Sequence, residues 1–181
     1  MSEENVSQCS KNRPDNIILI GFMGSGKTTF GRWISENRGY GLCDTDEYIE
    51  KQQGRKIKDI FASDGEAVFR DMETQTVRDL CGILTHTVIS VGGGLPVREE
   101  NRKLLHELGT VVYLRTSKDE LARRLYSDKD RPLLAGGSLE EKIESLMAAR
   151  EEIYIGVSEV IVDTDKMTFE EMFQVIKGEE N

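Results

Sequence analysis

The sequence predicts an α/β protein of three layers, in which a five-stranded parallel sheet is flanked by helices. Two observations carry this prediction. Short apolar runs alternate with longer stretches of helical periodicity, which is typical of a parallel sheet covered on both faces. A glycine-rich segment at 21–28 directly follows the first apolar run and precedes the first helical stretch. The length of 181 residues suits one such domain with a single substantial core.

Each element follows from its local pattern. The strands are short runs rich in branched apolar residues, predicted at 17–21, 40–43, 86–91, 110–115 and 159–163. The helices have apolar residues three or four positions apart, and they are predicted at 27–37, 45–53, 64–82, 98–108, 117–127, 139–154 and 168–177. Between 127 and 138 the pattern breaks into a polar, glycine-containing segment with Arg131 before a proline, which predicts a mobile lid.

We expect one domain at 17–181, preceded by a flexible extension at 1–16 that lacks the apolar region of a signal peptide. No run approaches the ~20 apolar residues that span a membrane. The three cysteines, Cys9, Cys43 and Cys81, lie far apart, which fits reduced thiols in a cytosolic protein. We therefore expect a cytoplasmic protein that does not bind membranes.

The charge balance limits the partners of the chain. With 24 basic and 33 acidic residues, the net charge of −9 argues against broad electrostatic binding to nucleic acid or acidic membranes. Positive charge that binds an anionic ligand must therefore be concentrated locally.

The segment from Gly21 to Thr28 has the pattern G-x-x-x-x-G-K-[ST] between a predicted strand and a predicted helix, which indicates a three-layer P-loop NTPase domain. Gly24 and Gly26 let the backbone curl so that its N–H groups point at phosphate oxygens, near the positive end of the next helix. Lys27 supplies a mobile positive charge, and the Thr28 hydroxyl is suited to Mg²⁺. A glycine-rich turn without ligand would require neither of these two side chains.

Ligands of open parallel sheets bind beyond the carboxyl ends of the strands. Asp44 and Asp46 follow the second predicted strand, and their spacing places both carboxylates on one side of an extended segment. One suits the metal shell and the other suits an acceptor alcohol, as base or hydrogen-bond acceptor. An isolated pair of this kind is as often a helix cap. The position downstream of the phosphate loop favours the functional interpretation.

Three glycines, Gly92 to Gly94, follow the third predicted strand, where they permit close approach of a ligand to the backbone. This strand ends in Val91 and not in the acidic residue of many P-loop proteins, so Asp44 is the candidate metal carboxylate.

Arginines supply the local positive charge. Arg70 and Glu73 share a helix face, and they form either a surface salt bridge or a guanidinium held ready for a ligand carboxylate. Arg131 on the predicted lid suits the charge of a transferring phosphoryl group, and Arg150 suits a substrate carboxylate. Each arginine taken singly also fits a solvated surface charge.

The motifs together resemble shikimate kinase over about residues 15 to 176. The motifs are Gly21-Phe-Met-Gly-Ser-Gly-Lys-Thr-Thr29, Asp44-Thr-Asp46, Phe69-Arg70-x-x-Glu73, Gly92-Gly-Gly94, Arg131-Pro-Leu-Leu134 and Arg150-x-x-x-Tyr154. The resemblance implies a fold like that of nucleoside monophosphate kinases and a monomeric enzyme. It also implies phosphorylation of the 3-hydroxyl of shikimate by MgATP, in the route to chorismate and the aromatic amino acids.

The resemblance also implies the site residues. ATP would be bound by Gly24, Ser25, Gly26, Lys27, Thr28, Thr29, Arg124 and Arg131. Shikimate would be bound by Asp46, Arg70, Gly92, Gly93, Gly94 and Arg150. Mg²⁺ would be bound by Thr28 and Asp44, and catalysis would depend on Lys27, Asp46 and Arg131.

Some features depart from the family pattern or leave alternatives open. Val91 stands where many members carry threonine. His86, His106 and Trp33 are predicted to be structural. A gluconate or nucleotide kinase of the same fold remains the alternative enzyme. A nucleotide-dependent switch is disfavoured because the chain lacks the N-K-x-D motif of guanine recognition.

Overall fold

The structure is a computed structural model that describes residues 13–126 and 139–179. Its strands are β1 Ile17–Ile20, β2 Gly41–Asp44, β3 Thr87–Ser90, β4 Thr110–Arg115 and β5 Val160–Asp163. Its helices are α1 Lys27–Arg38, α2 Thr45–Gln53, α3 Ile57–Ser63, α4 Gly65–Leu80, α5 Glu99–Leu108, α6 Lys118–Leu125, α7 Leu139–Val157 and α8 Phe169–Lys177, with a 3₁₀ turn at Leu95–Val97. The predicted lid at 127–138, with Arg131, lies outside the described residues.

All strand pairs of the sheet are parallel, in the order β2-β3-β1-β4-β5. The strand order therefore reverses at β1, which has β3 on one side and β4 on the other. In open parallel sheets the crevice at such a reversal, beyond the carboxyl ends of the strands, is where ligands bind. The predicted five-stranded parallel sheet is confirmed.

The core consists of a layer on each face of the sheet. Ile18 and Ile20 of β1 point into a cluster with α4, α5 and α7, whereas Ile17 and Leu19 point into a cluster with α1 and α8. Successive side chains of a strand face opposite sides, and here both sides are buried. This explains why the strands are continuous apolar runs, as expected for a parallel sheet covered by helices.

The largest error in the predicted elements concerns residues 54–63. The sequence predicts a loop and then one helix at 64–82, but the chain forms α3 before Gly65, which has a φ of +84°. A left-handed residue ends one helix and allows the next to leave at a new angle. Helix α3 has only seven residues, so its periodicity is too short to detect.

The amino-terminal boundary also differs from the prediction. Residues 13–16, predicted to be flexible, pack on the domain. Asn16 is 1% exposed. Its side-chain NH₂ group donates to Leu108 O at 2.8 Å, and its side-chain oxygen Oδ1 accepts from the Thr87 amide at 3.0 Å. Arg13 pairs with Glu159. Within 13–126 and 139–179, none of the helices has the length and apolar character that crossing a bilayer requires.

Candidate active site

The loop between β1 and α1 forms a cradle for an anion. Gly24 and Gly26 adopt left-handed conformations, with φ of +80° and +92°. Gly26 is also the N-cap of α1, and it has no side chain to cap the first-turn N–H groups. Uncapped N–H groups at the positive end of a helix are a binding site for phosphate.

Lys27 lies against the same loop. Its ammonium group donates to the carbonyl oxygens of Gly21 at 3.0 Å and Phe22 at 2.9 Å. The charge is therefore held next to the N–H groups that follow Gly26, and positive potential is concentrated at one point of a net-negative protein.

Thr28, in the first turn of α1, contacts Asp44 at the carboxyl end of β2. The Thr28 hydroxyl donates to Asp44 Oδ2 at 3.0 Å. The other carboxylate oxygen of Asp44 accepts from the Asp46 amide at 3.0 Å and caps α2. The helix-cap interpretation of Asp44 is therefore confirmed, and its role in the metal shell stays a prediction. Asp46 lies in the first turn of α2, so its expected placement on an extended segment is wrong.

A cleft of about 620 Å³ opens above these residues. It runs from the phosphate loop past the end of β3 to the segment after β5. Arg124 lines the cleft from α6, where it donates to Gly24 O at 3.2 Å and to Glu120 at 2.6 Å. The volume of the cleft is within the range of small-molecule sites.

A second pocket of about 110 Å³ adjoins the first. Its lining residues come from α2, α3, α4, α7, the phosphate loop and the triple-glycine turn at 92–94. They are Met23, Asp46, Ile57, Phe61, Phe69, Arg70, Glu73, Gly92, Gly93, Gly94 and Arg150. Asp46 lines both cavities, so the two adjoin at this residue.

In the second pocket, Arg70 is paired with a buried carboxylate. Arg70 donates to Glu73 Oε2 at 2.6 Å, and Glu73 is fully buried. The surface salt-bridge interpretation of this pair is therefore wrong. Burial raises the pKa of Glu73 to about 7, and nearby Asp46 adds to this, although Arg70 and Arg150 oppose it.

The triple-glycine turn requires glycine because other groups approach it closely. A methyl group on Gly92 would lie 2.7 Å from Glu73 Oε1 and 2.9 Å from Asp46 Oδ1. A methyl group on Gly94, whose φ is −90°, would overlap the Arg70 guanidinium. The lack of side chains on the turn thus leaves room for Asp46, Glu73 and Arg70 in the same pocket.

Arg150 enters the second pocket from α7 and is 9% exposed. With Arg70 it provides two guanidinium groups beside the carboxylate of Asp46. Such a pocket suits a small acceptor that carries a carboxylate and hydroxyl groups.

A family model described as "SKI: Shikimate kinase" matches residues 23–179. The chain belongs to the shikimate kinase family. A shikimate kinase of Chromobacterium violaceum is 42% identical over 149 residues, which are 82% of this chain and 80% of that protein. A shikimate kinase of Geobacter metallireducens is 40% identical over 163 residues, which are 90% of each chain.

Solved structures agree with this family. "Shikimate kinase from Acinetobacter baumannii in complex with shikimate" has a TM-score of 0.86 and 34% identity, and the match covers 96% of this chain and 98% of that one. A gluconokinase from Sinorhizobium meliloti has a TM-score of 0.56 and 19% identity, which shows a shared fold alone. The resemblance predicted from the motifs is confirmed, and shikimate kinase is favoured over the alternative kinases.

For a shikimate kinase family member, the structure brings together nearly all the predicted site residues. The first cleft contains Gly24, Ser25, Gly26, Lys27, Thr28, Thr29, Asp44 and Arg124. The second pocket contains Arg70, Gly94 and Arg150, while Asp46, Gly92 and Gly93 line both. Arg131 lies outside the described residues.

Several lining residues were missed by the sequence analysis. Thr164, directly after β5, lines the first cleft, and its position after a strand was a usable signal. Phe169 of α8 lines the same cleft, but its pattern indicates only core packing. Ile57 and Phe61 line the second pocket from the unpredicted helix α3. The predicted packing role of Trp33 is consistent with its contacts to Phe30 and Phe169.

Proposed function

We propose that this shikimate kinase family member transfers the γ-phosphoryl group of ATP to the 3-hydroxyl of shikimate. The observation that carries the proposal is the position of Asp46, which lines both the phosphate-loop cleft and the arginine-containing pocket. A phosphoryl donor and an acceptor bound in these cavities would meet at this carboxylate.

The acceptor pocket suits the chemistry of shikimate, a small anion with three hydroxyl groups. Arg70 and Arg150 supply the cations for its carboxylate, and Glu73 holds Arg70 in place. Asp46 and the backbone of the triple-glycine turn line the same pocket and would bind the hydroxyl groups. A planar guanidinium fixed by a buried acid loses little entropy when it binds a carboxylate.

In the proposed transfer, the 3-oxygen of shikimate attacks the γ-phosphorus while the bond from phosphorus to the bridging oxygen of ADP breaks. Asp46 accepts the proton of the attacking hydroxyl. Lys27 and the loop N–H groups hold the phosphates and offset the charge on their oxygens. We also propose that Arg131 contacts these phosphates and that Arg124 packs on the adenine.

The residues present fit a magnesium ion. Thr28 Oγ1 and Asp44 Oδ2 lie 3.0 Å apart beside the phosphate loop, and Mg²⁺ prefers such oxygen ligands. Thr28 would hold the ion directly, and Asp44 would support it through water. When bound, the ion neutralises phosphate charge.

We further propose that the protein acts as a monomer in the cytoplasm. The low cysteine content and the net charge of −9 support this assignment. Size-exclusion chromatography with light scattering should give a single mass near 20.4 kDa.

The test is ADP production by the purified protein with MgATP and one acceptor at a time. The acceptors are shikimate, quinate, gluconate and nucleoside monophosphates, with a reaction lacking acceptor as the control. We expect strong stimulation by shikimate alone, with phosphate on its 3-hydroxyl by phosphorus NMR. Stimulation by another acceptor alone would contradict the proposed substrate but not the phosphate-binding cleft.

A further inference from the structure

The triple-glycine turn is held from two sides by hydroxyl groups of different elements. On one side the Gly92 amide donates to Thr45 Oγ1 at 3.3 Å. On the other side the Tyr154 hydroxyl donates to the carbonyl oxygen of Gly93 at 2.5 Å. Tyr154 belongs to α7 and is 1% exposed, so it reaches the turn from inside the protein.

The bond to Gly93 determines the direction of the next amide. The C=O of Gly93 and the N–H of Gly94 belong to one planar trans peptide, so they point in opposite directions. Gly93 and Gly94 line the acceptor pocket, whereas Tyr154 is not among its lining residues. The Gly94 N–H is therefore held pointing away from the Tyr154 hydroxyl, in a turn that lines the pocket.

The same hydroxyl also interacts with Arg150, which lies one helical turn earlier on α7. Burial raises the pKa of the Tyr154 phenol, and the nearby Arg150 guanidinium opposes that rise. Arg150 also lines the acceptor pocket. The Tyr154 hydroxyl therefore binds the turn and lies near a cation that enters the same pocket.

The turn also contacts the phosphate loop. A methyl group on Gly93 would lie 3.2 Å from the carbonyl oxygen of Gly21 and 3.6 Å from the amide nitrogen of Met23. A shift of the turn would therefore change the distance between the bound acceptor and the phosphates, and phosphoryl transfer is sensitive to such shifts.

We propose that Tyr154 is a positioning residue for the acceptor, whose hydroxyl fixes the peptide between Gly93 and Gly94, close to the Arg150 guanidinium, in the arrangement that binds shikimate. This inference rests on the proposed function. It predicts that loss of the hydroxyl weakens use of the acceptor and leaves nucleotide binding intact.

The competing interpretation is that Tyr154 only fills the core. Its ring lies 5.3 Å from that of Tyr113, and both rings belong to the same apolar cluster. Tyr154→Phe retains the ring and removes only the hydroxyl. Tyr113→Phe makes the same change in the neighbouring buried ring, so it is the matched control.

The experiment measures steady-state kinetics for the wild type and both variants, with shikimate and ATP varied in turn. We expect Tyr154→Phe to lower kcat/KM for shikimate by about tenfold, the effect of losing one orienting hydrogen bond. The KM for ATP and the Kd for ADP should change by less than about twofold, as should all constants of Tyr113→Phe. A wild-type kcat/KM for shikimate in Tyr154→Phe would overturn the inference. So would a parallel loss for ATP and shikimate, or an equal loss in Tyr113→Phe.

A second measurement uses the wild type and does not depend on the folding of a variant. The amide resonance of Gly94 in a ¹H–¹⁵N spectrum should shift on addition of shikimate but not of ADP. An unchanged resonance at saturating shikimate would overturn the inference. A wild type that does not phosphorylate shikimate would remove the proposed function and this inference together. An active wild type with an equally active Tyr154→Phe would remove the role of Tyr154 alone.

Discussion

Glu73 forms a buried ion pair with Arg70. Its Oε2 atom lies 2.6 Å from Arg70 Nη1, and its side chain is 1% exposed. The other carboxylate oxygen, Oε1, is buried and has no hydrogen-bond partner among the described residues. Oε2 is thus paired with a cation, whereas Oε1 is buried away from solvent. Desolvation is the larger effect, and it raises the pKa of Glu73 to about 7 from an ordinary 4.5.

This pKa predicts a pH dependence of stability. Between pH 4.5 and about 7 the folded protein retains a proton on Glu73 that the unfolded chain has lost, so the contribution of Glu73 to stability falls as the pH rises. Glu73→Gln removes this contribution. Chemical denaturation at pH 5 and pH 8 should show that, over this rise in pH, the free energy of unfolding of the wild type falls by about 1–3 kcal/mol relative to that of the variant. The exposed neighbour Glu66→Gln is the control, and an equal change there would contradict the prediction.

Gly94→Ala should impair acceptor binding, because its methyl group would overlap the Arg70 guanidinium. We expect the KM for shikimate to rise about tenfold or more, the cost of displacing a charge-assisted contact, with the KM for ATP unchanged. Gly156→Ala on α7 is the matched control, since a methyl group there would meet nothing within 4 Å. That control should keep wild-type kinetics and gain up to about 1 kcal/mol of stability. Equal effects in both variants would be incompatible with the proposed role of the turn.

Asp46→Asn should nearly abolish phosphoryl transfer, because the amide cannot accept the proton of the attacking hydroxyl. We expect kcat to fall by about 10²–10⁴-fold, while the Kd for ADP, measured by calorimetry, stays near the wild-type value. Asp59→Asn makes the same change at an exposed position on α3 and should have no effect. Near-normal turnover by Asp46→Asn would exclude Asp46 as the base.

Thr28→Val should increase the requirement for Mg²⁺. The substitution keeps the side-chain shape and removes the hydroxyl that lies 3.0 Å from Asp44. We expect the Mg²⁺ concentration for half-maximal rate to rise about tenfold, as is common when one ligand group is lost. Thr85→Val, at an exposed loop position before β3, is the control. An unchanged Mg²⁺ titration in Thr28→Val would argue against its place in the metal shell.

The sequence was most informative where the signal is local. The loop at 21–28 and the short apolar runs require only neighbouring residues to be interpreted, and the structure confirms the parallel sheet that they predict. Gly65 shows where local signals fail. Its left-handed conformation separates α4 from α3, yet the seven residues of α3 are too few for their pattern to be told from a loop.

The candidate site was also only partly predictable. Arg70 and Glu73 are three positions apart, and this spacing fits an exposed pair as well as a buried one. Their surroundings include the triple-glycine turn at 92–94, which is distant in sequence. Tyr154 likewise looks like a core residue until its hydroxyl is found on the Gly93 carbonyl.

By itself the sequence determined the class of fold, the phosphate loop and the family, because each follows from residue types at short, regular spacing. Only the tertiary structure decided that Asp46 lines two cavities and that the partner of Arg70, Glu73, is buried. It also decided which elements enclose the acceptor pocket. These are distances between segments far apart in the chain. They are set by the packing of helices on the sheet, which no local pattern of residues records.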